Sequence, residues 1–543
     1  MEILSRPPRL RVVLVKPSKY GLDGTVERFR RGFMPNATLP HMASMTPPEV
    51  AGHQVNVHVV DEYVECDLDY LRLLERDPDC KTLLAFVGVQ TPQIHRALDL
   101  AAYAHAHGVA HVVIGGPHAM TMDTTMIQGR GVSFALAEAE LIWLQILADA
   151  VAGELQPVYG DENAPWQEVL DPPVLIPPQK RQLHRYVVPM LGVYPARGCP
   201  YRCNFCSVIQ IAGRQVRSQP VETTMATLRA AKAAGVVLIM FTTDNFNKYA
   251  EAESLLQAII DERLNLGLFV QCDTQVVRQP HLVELLGRAG CYQMFVGVES
   301  FHRETLLAAK KNQNHPERYR ELVEMCHAHG IAVHFSNIIG FPHDTEVTIL
   351  EHLRILRGLQ PDIASFYILT PSGEQYTDFL AAGLISEPNL DRFDGTYPTW
   401  RHRHLSHERW RELLFHCYSE FYAHIEVPAP AKLAKMACWP KRNGLQDLAK
   451  LSIERIAVLS RLAVAARRHP MAGGIFEVCC DGVSDYIHLR RHLYGFDIAP
   501  LPRMLRPTVD AHWPSANAAA GGSDPTGMEK PPAIAVGLAE STQ

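Results

Sequence analysis

At 543 residues the chain is too long for one ordinary core, which points to two to four domains. Its 47% apolar and 20% charged residues suit a soluble globular protein, and a net charge of −6 argues against a surface built for nucleic acid. Twelve cysteines are too dilute for a disulfide scaffold. No window reaches the ~18 uncharged apolar residues of a membrane span, and "MEILSRPPRLRVVLVKPS" lacks a signal-peptide core, so a cytoplasmic location is expected.

Residues 1–160 read as an α/β unit. "RLRVVLVKPS" (9–18) and "QVNVHVVDEY" (54–63) are Val-rich strands, and "TLLAFVGVQT" (82–91) is a buried strand followed by an amphipathic helix. "VAHVVIGGPHAM" (109–120) is a strand ending in a glycine pair, and "VSFALAEAELIWLQILADAVAG" (132–153) runs from a strand into a helix. Alternating strands and helices predict a doubly wound, Rossmann-like parallel sheet with its ligand at the carboxyl ends of the strands. Residues 161–190 are proline-rich and read as a linker extended over the surface.

From Leu191 the alternation becomes clearer. Strands are expected at 191–198, 236–244, 266–274, 292–300, 331–340 and 365–373, with helical stretches between them. Six βα units over 191–400 predict a partial, TIM-like barrel whose functional groups lie at the strands' carboxyl ends. Residues 401–512 read as a helical region and 513–543, rich in Ala, Gly, Pro and Ser, as a disordered tail. "TWRHRHLSHERW" (399–410) reads as a solvated helix start, with an anion cap as the alternative. Cys272, Cys291, Cys326 and Cys417 sit in apolar contexts and read as core, and the adjacent pair at 479–480 is a poor metal site.

"ARGCPYRCNFCSV" (196–208) places Cys199, Cys203 and Cys206 just after the first barrel strand. Three thiols so close are too rare for coincidence. A structural zinc wants four ligands, and no second pair follows at the usual distance. An iron–sulfur cluster with three protein thiolates would leave one iron open to an exogenous ligand, useful for catalysis and useless for a structural role. Both remain open on spacing alone.

The motif Cys-x-x-x-Cys-x-aromatic-Cys, with Phe205 in the aromatic place, resembles the signature of the radical S-adenosylmethionine (SAM) enzymes. The resemblance implies that Cys199, Cys203 and Cys206 bind a 4Fe–4S cluster, that SAM chelates the fourth iron, and that reductive cleavage releases a 5′-deoxyadenosyl radical. "FTTDNF" (241–246) resembles the end of the family's second strand and gives a SAM-facing role to Asp244. "VGVES" (296–300) resembles the end of the fourth strand and puts Glu299 and Ser300 beside SAM. "NIIGFPHDT" (337–345) resembles the fifth-strand turn, with close backbone approach to the adenine at Gly340. "YILTPSGEQY" (367–376) resembles the turn after the sixth strand but departs from it at Ser372-Gly373-Glu374.

Residues 1–160 resemble the cobalamin-binding domain that precedes the barrel in one large subgroup. "VIGGPH" (113–118) implies backbone approach to the cofactor at Gly115 and Gly116, "GVQT" (88–91) offers Gln90 and Thr91, and the helix start at 137–139 offers Glu138. Two departures stand out: Ala137 replaces the usual glycine, and no Asp-x-His-x-x-Gly supplies a lower cobalt ligand. His118 reads as a loop or capping histidine. Taken together, the resemblance implies a cobalamin-dependent methyltransferase acting at an unactivated carbon of a small-molecule or lipid substrate, reduced by a donor such as flavodoxin or ferredoxin. A radical rearrangement or cyclisation without methyl transfer is the alternative, and a non-enzymatic zinc or iron–sulfur protein is disfavoured.

Overall fold

The run "RLRVVLVK" forms strand β1 (Arg9–Lys16), buried because it pairs on both edges inside a sheet with both faces covered. The computed structural model describes residues 7–21, 24–65, 70–75, 77–163, 165–168, 170, 172–426, 445–470 and 474–477. Further strands of the first domain are β2 (Phe29–Gly32), β3 (Glu49–Val50), β4 (His53–Asp61), β5 (Cys80–Phe86), β6 (His111–Gly115), β7 (Ser133–Ala135) and β8 (Val158–Tyr159). Seven of these form one sheet in the order β3-β4-β1-β5-β6-β7-β8, parallel except for the β3–β4 pair. Strand order reverses around β1, so the carboxyl ends of β1, β4 and β5 border the crevice that such sheets use for ligands.

The second sheet contains β9 (Met190–Val193), β12 (Leu238–Phe241), β13 (Gly267–Cys272), β14 (Cys291–Glu299), β15 (Ala332–Ile339) and β16 (Ile363–Ile368). All neighbours are parallel and in chain order, the layout of a six-stranded partial barrel. The first strand is shorter than the expected 191–198. Pro195 has no N–H for a ladder, and the chain leaves the sheet to form the two-residue β10 (Ala196–Arg197), paired antiparallel with β11 (Arg217–Ser218). A last strand, β17 (Gly474–Glu477), pairs antiparallel with β2.

The linker departs from its expected surface course. Prolines keep it from regular structure, but the apolar residues between them act as pegs: Leu170, Leu175, Leu183, Tyr186, Val187 and Val188 are buried. Trp166 donates its indole N–H to Ile211 O at 2.8 Å. The segment 399–410 leads into the helix His407–Phe421 with Ser406 as its N-cap and an exposed first turn, as a solvated helix start would, while Trp400 and Trp410 are buried. Cys272, Cys291, Cys326 and Cys417 are buried in the barrel core, and the pair at 479–480 and residues 513–543 lie outside the described residues. Among the described residues no helix is long and apolar enough to cross a membrane.

Two buried ion networks hold this architecture. Inside the first domain, Glu62 lies between Arg28 (2.9 Å) and Arg96, all three essentially without solvent exposure. Between the domains, Glu138 stands at the N-cap position of the helix Ala139–Ala152, and its carboxylate accepts from both terminal nitrogens of Arg217 (2.7 and 2.9 Å) and one of Arg197 (3.2 Å). Arg197 and Arg217 are register partners in the β10–β11 pair, at the root of the cysteine loop. Arg197 also reaches Glu140 at 2.7 Å, which His41 holds at 2.8 Å. Gln167 of the linker donates its backbone N–H to Glu138 at 2.8 Å, so one carboxylate joins three stretches of chain.

Burial alone would raise the Glu62 carboxyl, but the charge and hydrogen bonds of Arg96, then Arg28, bring it down to about 2. Its contribution is complete above the ordinary glutamate value of 4.5 and disappears as pH falls towards about 2. In urea titrations of the wild type the first-domain transition should therefore weaken over that interval, and Glu62→Gln should be destabilised at neutral pH and lose that acid-dependent slope. Glu138→Ala leaves the buried Arg217 guanidinium without its counter-ion and Arg197 with Glu140 alone, and should lower stability by about 3 kcal/mol, read from chemical denaturation.

Candidate active site at the domain interface

The two sheets present their carboxyl ends to one cavity of about 940 Å³. On the first domain's side the wall includes Lys16 at the end of β1, Asp61 at the end of β4, and Gly88, Gln90, Thr91 and Gln93 after β5. On the barrel side it includes Thr242, Gln271, Tyr367 and Ser372, together with Ser207 and Ile211 immediately beyond the cysteines.

The loop that carries Cys199, Cys203 and Cys206 is tied down at each end. At its root, Asp244 Oδ2 accepts the backbone N–H of Gly198 at 3.0 Å, and Asn245 Nδ2 donates to Cys199 Sγ at 3.0 Å. Burial raises the Asp244 carboxyl above its usual range. At its far side, Asn204 N–H meets Ala309 O at 3.2 Å, Gln375 N–H meets Asn204 O at 3.0 Å, and the Ser372 hydroxyl donates to Phe205 O. The Ser372-Gly373-Glu374 departure thus falls on the turn that holds the cysteine loop.

All three cysteines are free thiols. Burial raises each thiol's pKa, that of Cys206 to about 12, so a metal must displace protons to bind. Gln313 Nε2 lies 3.7 Å from Cys203 Sγ, a second N–H donor directed at sulfur. Among the described residues no three His, Cys, Asp or Glu side chains, the three cysteines included, are gathered as for a single ion, whereas a structural zinc takes four such ligands. Three thiols on one loop, with N–H donors at two of them, fit a cluster that keeps one open position.

Beside this loop, β14 has a register shift between Gly297 and Glu299, and Glu299 takes a left-handed backbone with φ of +60°. The shift folds its carboxylate back over Gly297, where an added Cβ would stand 2.5 Å from Glu299 Oε1. Glu299 Oε1 is there paired with buried Lys311 Nζ at 2.5 Å. Burial opposes the charge of Lys311, but Glu299 and the neighbouring cysteines raise its pKa. Its ammonium also lies 5.8 Å from the centre of the Phe205 ring, which in turn packs edge-on to Phe341 at 5.7 Å. Ser300 is buried and accepts the backbone N–H of His302 at 3.1 Å.

Gly340, Gly116, Gly115 and Glu138 all make contacts within the chain. A Cβ on Gly340 (φ +82°) would meet the Trp410 indole at 2.0 Å, so its open side is filled by the C-terminal region. Its N–H and that of Phe341 donate to Asp344 Oδ2 at 2.8 and 2.9 Å. Gly116 (φ +126°) backs onto the Gly88–Val89 backbone, with Val89 N 2.3 Å from a Cβ position, and Gly115 packs on Ala135. The glycine pair therefore supports the loop carrying Gln90 and Thr91, and those two residues line the cavity. Glu138 is committed to the arginine clamp. His118 is buried with Nδ1 3.3 Å from Thr91 Oγ1.

Sequence reasoning singled out neither Lys311 nor Gln313, Arg197 or Arg217. "AAKKNQNH" shows no periodicity, and only the fold brings it to the cysteines. Asn245 stood within the quoted "FTTDNF" and was passed over for its neighbour Asp244.

Residues 193–356 match the radical SAM superfamily. The chain is 24% identical over 447 residues to the bacteriochlorophyllide d C-8(2)-methyltransferase of Chlorobaculum tepidum, across 79% of this chain and 93% of that protein. It matches the structure of the radical S-adenosylmethionine methyltransferase TsrM from Kitasatospora setae, solved with cobalamin and a 4Fe–4S cluster bound. There the TM-score is 0.58 at 17% identity, over 83% of this chain and 99% of that one. The cobalamin-dependent S-adenosylmethionine radical enzyme OxsB matches with a TM-score of 0.56 at 15% identity, over 84% of this chain and 72% of that one. The barrel of this chain is a radical SAM domain, and the chain has the two-domain fold of the cobalamin-dependent radical SAM enzymes.

Proposed function

We propose that this chain is a cobalamin-dependent radical SAM methyltransferase that methylates an unactivated carbon of a small-molecule or lipid substrate. The observation that carries the reading is one cavity bordered by Ser207 and Ile211, just beyond Cys206, on one side and by Gln90 and Thr91 on the other. Two cofactors acting on one substrate need this arrangement, since both must reach it without its release. The similarity to a bacteriochlorophyllide d methyltransferase over most of both chains supports methyl transfer.

When bound, the cluster with SAM supplies a hydrogen-abstracting radical, and cobalamin supplies the methyl group. Cys199, Cys203 and Cys206 hold the cluster, while Asn245 and Gln313 direct N–H groups at two of the sulfurs. Phe205, Asp244, Glu299 and Ser300 form the SAM side, with Lys311 holding the Glu299 carboxylate in place and Gly340 supporting that side from behind, packed against Trp410. Gly115 and Gly116 hold the loop from which Gln90 and Thr91 face cobalamin, a wall of neutral hydrogen-bonding groups suited to its amides. The only histidine on the cavity wall among the described residues, His334, belongs to the barrel, so cobalamin would be held without a histidine from its own domain. This reading places the protein in the cytoplasm, with flavodoxin or ferredoxin as electron donor.

Changing Cys199, Cys203 or Cys206 to Ala should abolish the iron–sulfur absorbance of anaerobically reconstituted protein; an intact chromophore in all three variants overturns the site. Glu299→Ala should retain the cluster and slow SAM cleavage roughly ten- to a hundredfold, the loss expected for a hydrogen bond to a charged group. The decisive assay quantifies 5′-deoxyadenosine and S-adenosylhomocysteine after anaerobic incubation with SAM, a reductant and a substrate panel, with and without cobalamin. Cobalamin-dependent formation of both is expected, and deoxyadenosine alone would replace methyl transfer by rearrangement.

A further inference from the structure

The cavity continues past the cysteine loop into the barrel, and its two ends differ in charge. Its ionisable carboxylate and ammonium groups, Lys16, Lys19, Asp61 and Asp394, all lie at the end built by the first domain and the segment after the barrel. There they balance one another. Lys19 is paired with Asp394. Lys16 and Asp61 are register partners on β1 and β4, with Lys16 also donating to Gln93 at 2.8 Å and Asp61 accepting from the Tyr186 hydroxyl at 2.7 Å.

The barrel end carries no such group among the described residues. Phe269 and Phe295 supply apolar wall, and Gln271, Gln293, His334 and Tyr367 supply polar atoms without charge. Gln293 Nε2 lies 3.1 Å from His334 Nδ1, and His334 Nε2 lies 3.1 Å from Ser365 Oγ. The Phe295 ring packs edge-on to the imidazole at 4.8 Å. Burial lowers the pKa of His334 to about 3, which keeps the ring neutral at physiological pH. With one end of its amide engaged by His334, Gln293 has the other end left for a molecule that enters the barrel.

We propose that the substrate enters the barrel by an uncharged hydrogen-bonding end, an amide, hydroxyl or N–H group on an apolar body, and that Gln293, positioned by His334, selects it. The proposal rests on the reading of this cavity as the substrate chamber and deepens it by naming the chemical class. A carboxylate or phosphate inserted here would lose its hydration and find no counter-ion, a larger loss than that of a neutral group which exchanges water for Gln293 and Gln271.

The test is equilibrium binding, by calorimetry or ligand-observed NMR, of 2-naphthylacetamide and 2-naphthylacetate to the full chain, which needs no loaded cofactor. The amide should bind at least tenfold more tightly than the acid. Gln293→Leu should erase the preference, and Gln271→Lys, which adds a cation to the partly open wall, should tighten the acid at least tenfold. His334→Phe should reduce the preference as Gln293→Leu does, and His334→Asn, which can still hold the Gln293 amide, should restore it. Gln271→Lys keeps the test decisive should the more deeply buried variants fail to fold. Equal binding of both probes by the wild type, tighter binding of the acid, or binding of neither overturns the proposal. Failure of the radical reading would be distinct: no cluster absorbance and no deoxyadenosine, with the amide preference intact.

Discussion

The arrangement of the two domains depends on one buried carboxylate. Glu138 is 7% exposed, and the arginines it meets come from either side of the cysteine loop. Because Arg197 and Arg217 face each other in a two-residue strand pair, the guanidinium groups reach Glu138 together only when that pair is formed. The pair, in turn, would place two like charges side by side without the acid between them. Each part is therefore unfavourable without the others, which couples the closing of the cysteine loop to the docking of the first domain. The cavity is the space left once that docking is complete.

Within that frame, irregular backbone does much of the aiming. A regular β14 would alternate its side chains between barrel interior and helical layer, and Glu299 would follow that alternation. The register shift and left-handed residue redirect it towards Lys311 and the cysteine loop, and Gly297 leaves the room. Burial alone disfavours charge on Lys311, but its acid partner and the adjacent sulfurs reverse that balance. A cation is thereby held beside Cys203 and Cys206, thiols that must lose protons to bind metal.

Sequence reading reached the parts whose signal is local. The spacing of Cys199, Cys203 and Cys206 marks a candidate site within eight residues, and alternation of strands and helices points to a parallel sheet in each domain. Glu299 was legible because it stands in a short motif, but its partner Lys311 was not, since that contact is made by tertiary folding across the turn after β14. Glu138 is offered as a cofactor contact by the resemblance of its helix start to the cobalamin-binding domain, and nothing near it in sequence indicates arginines 59 and 79 residues away. The linker was misread for a related reason. Its prolines are conspicuous, while the burial of Leu170, Leu175 and Leu183 depends on surfaces supplied by distant segments. The Gln293–His334–Ser365 chain crosses three strands and has no one-dimensional signature.

Gly340 and Trp410 carry a consequence for how such proteins diverge and can be recombined. The indole fills the space a side chain at residue 340 would need, and its N–H reaches Ile339 O at 3.2 Å. Nearby, His402 lies 2.8 Å from Phe341 O. The region after the barrel is thus part of the wall of the fifth-strand turn and cannot be exchanged as an independent cassette. A chimera that imports another protein's C-terminal region must bring along the matching turn, and sequence drift at 340–344 should track drift at 400–410. The two segments form one heritable unit, although more than 50 residues of chain separate them.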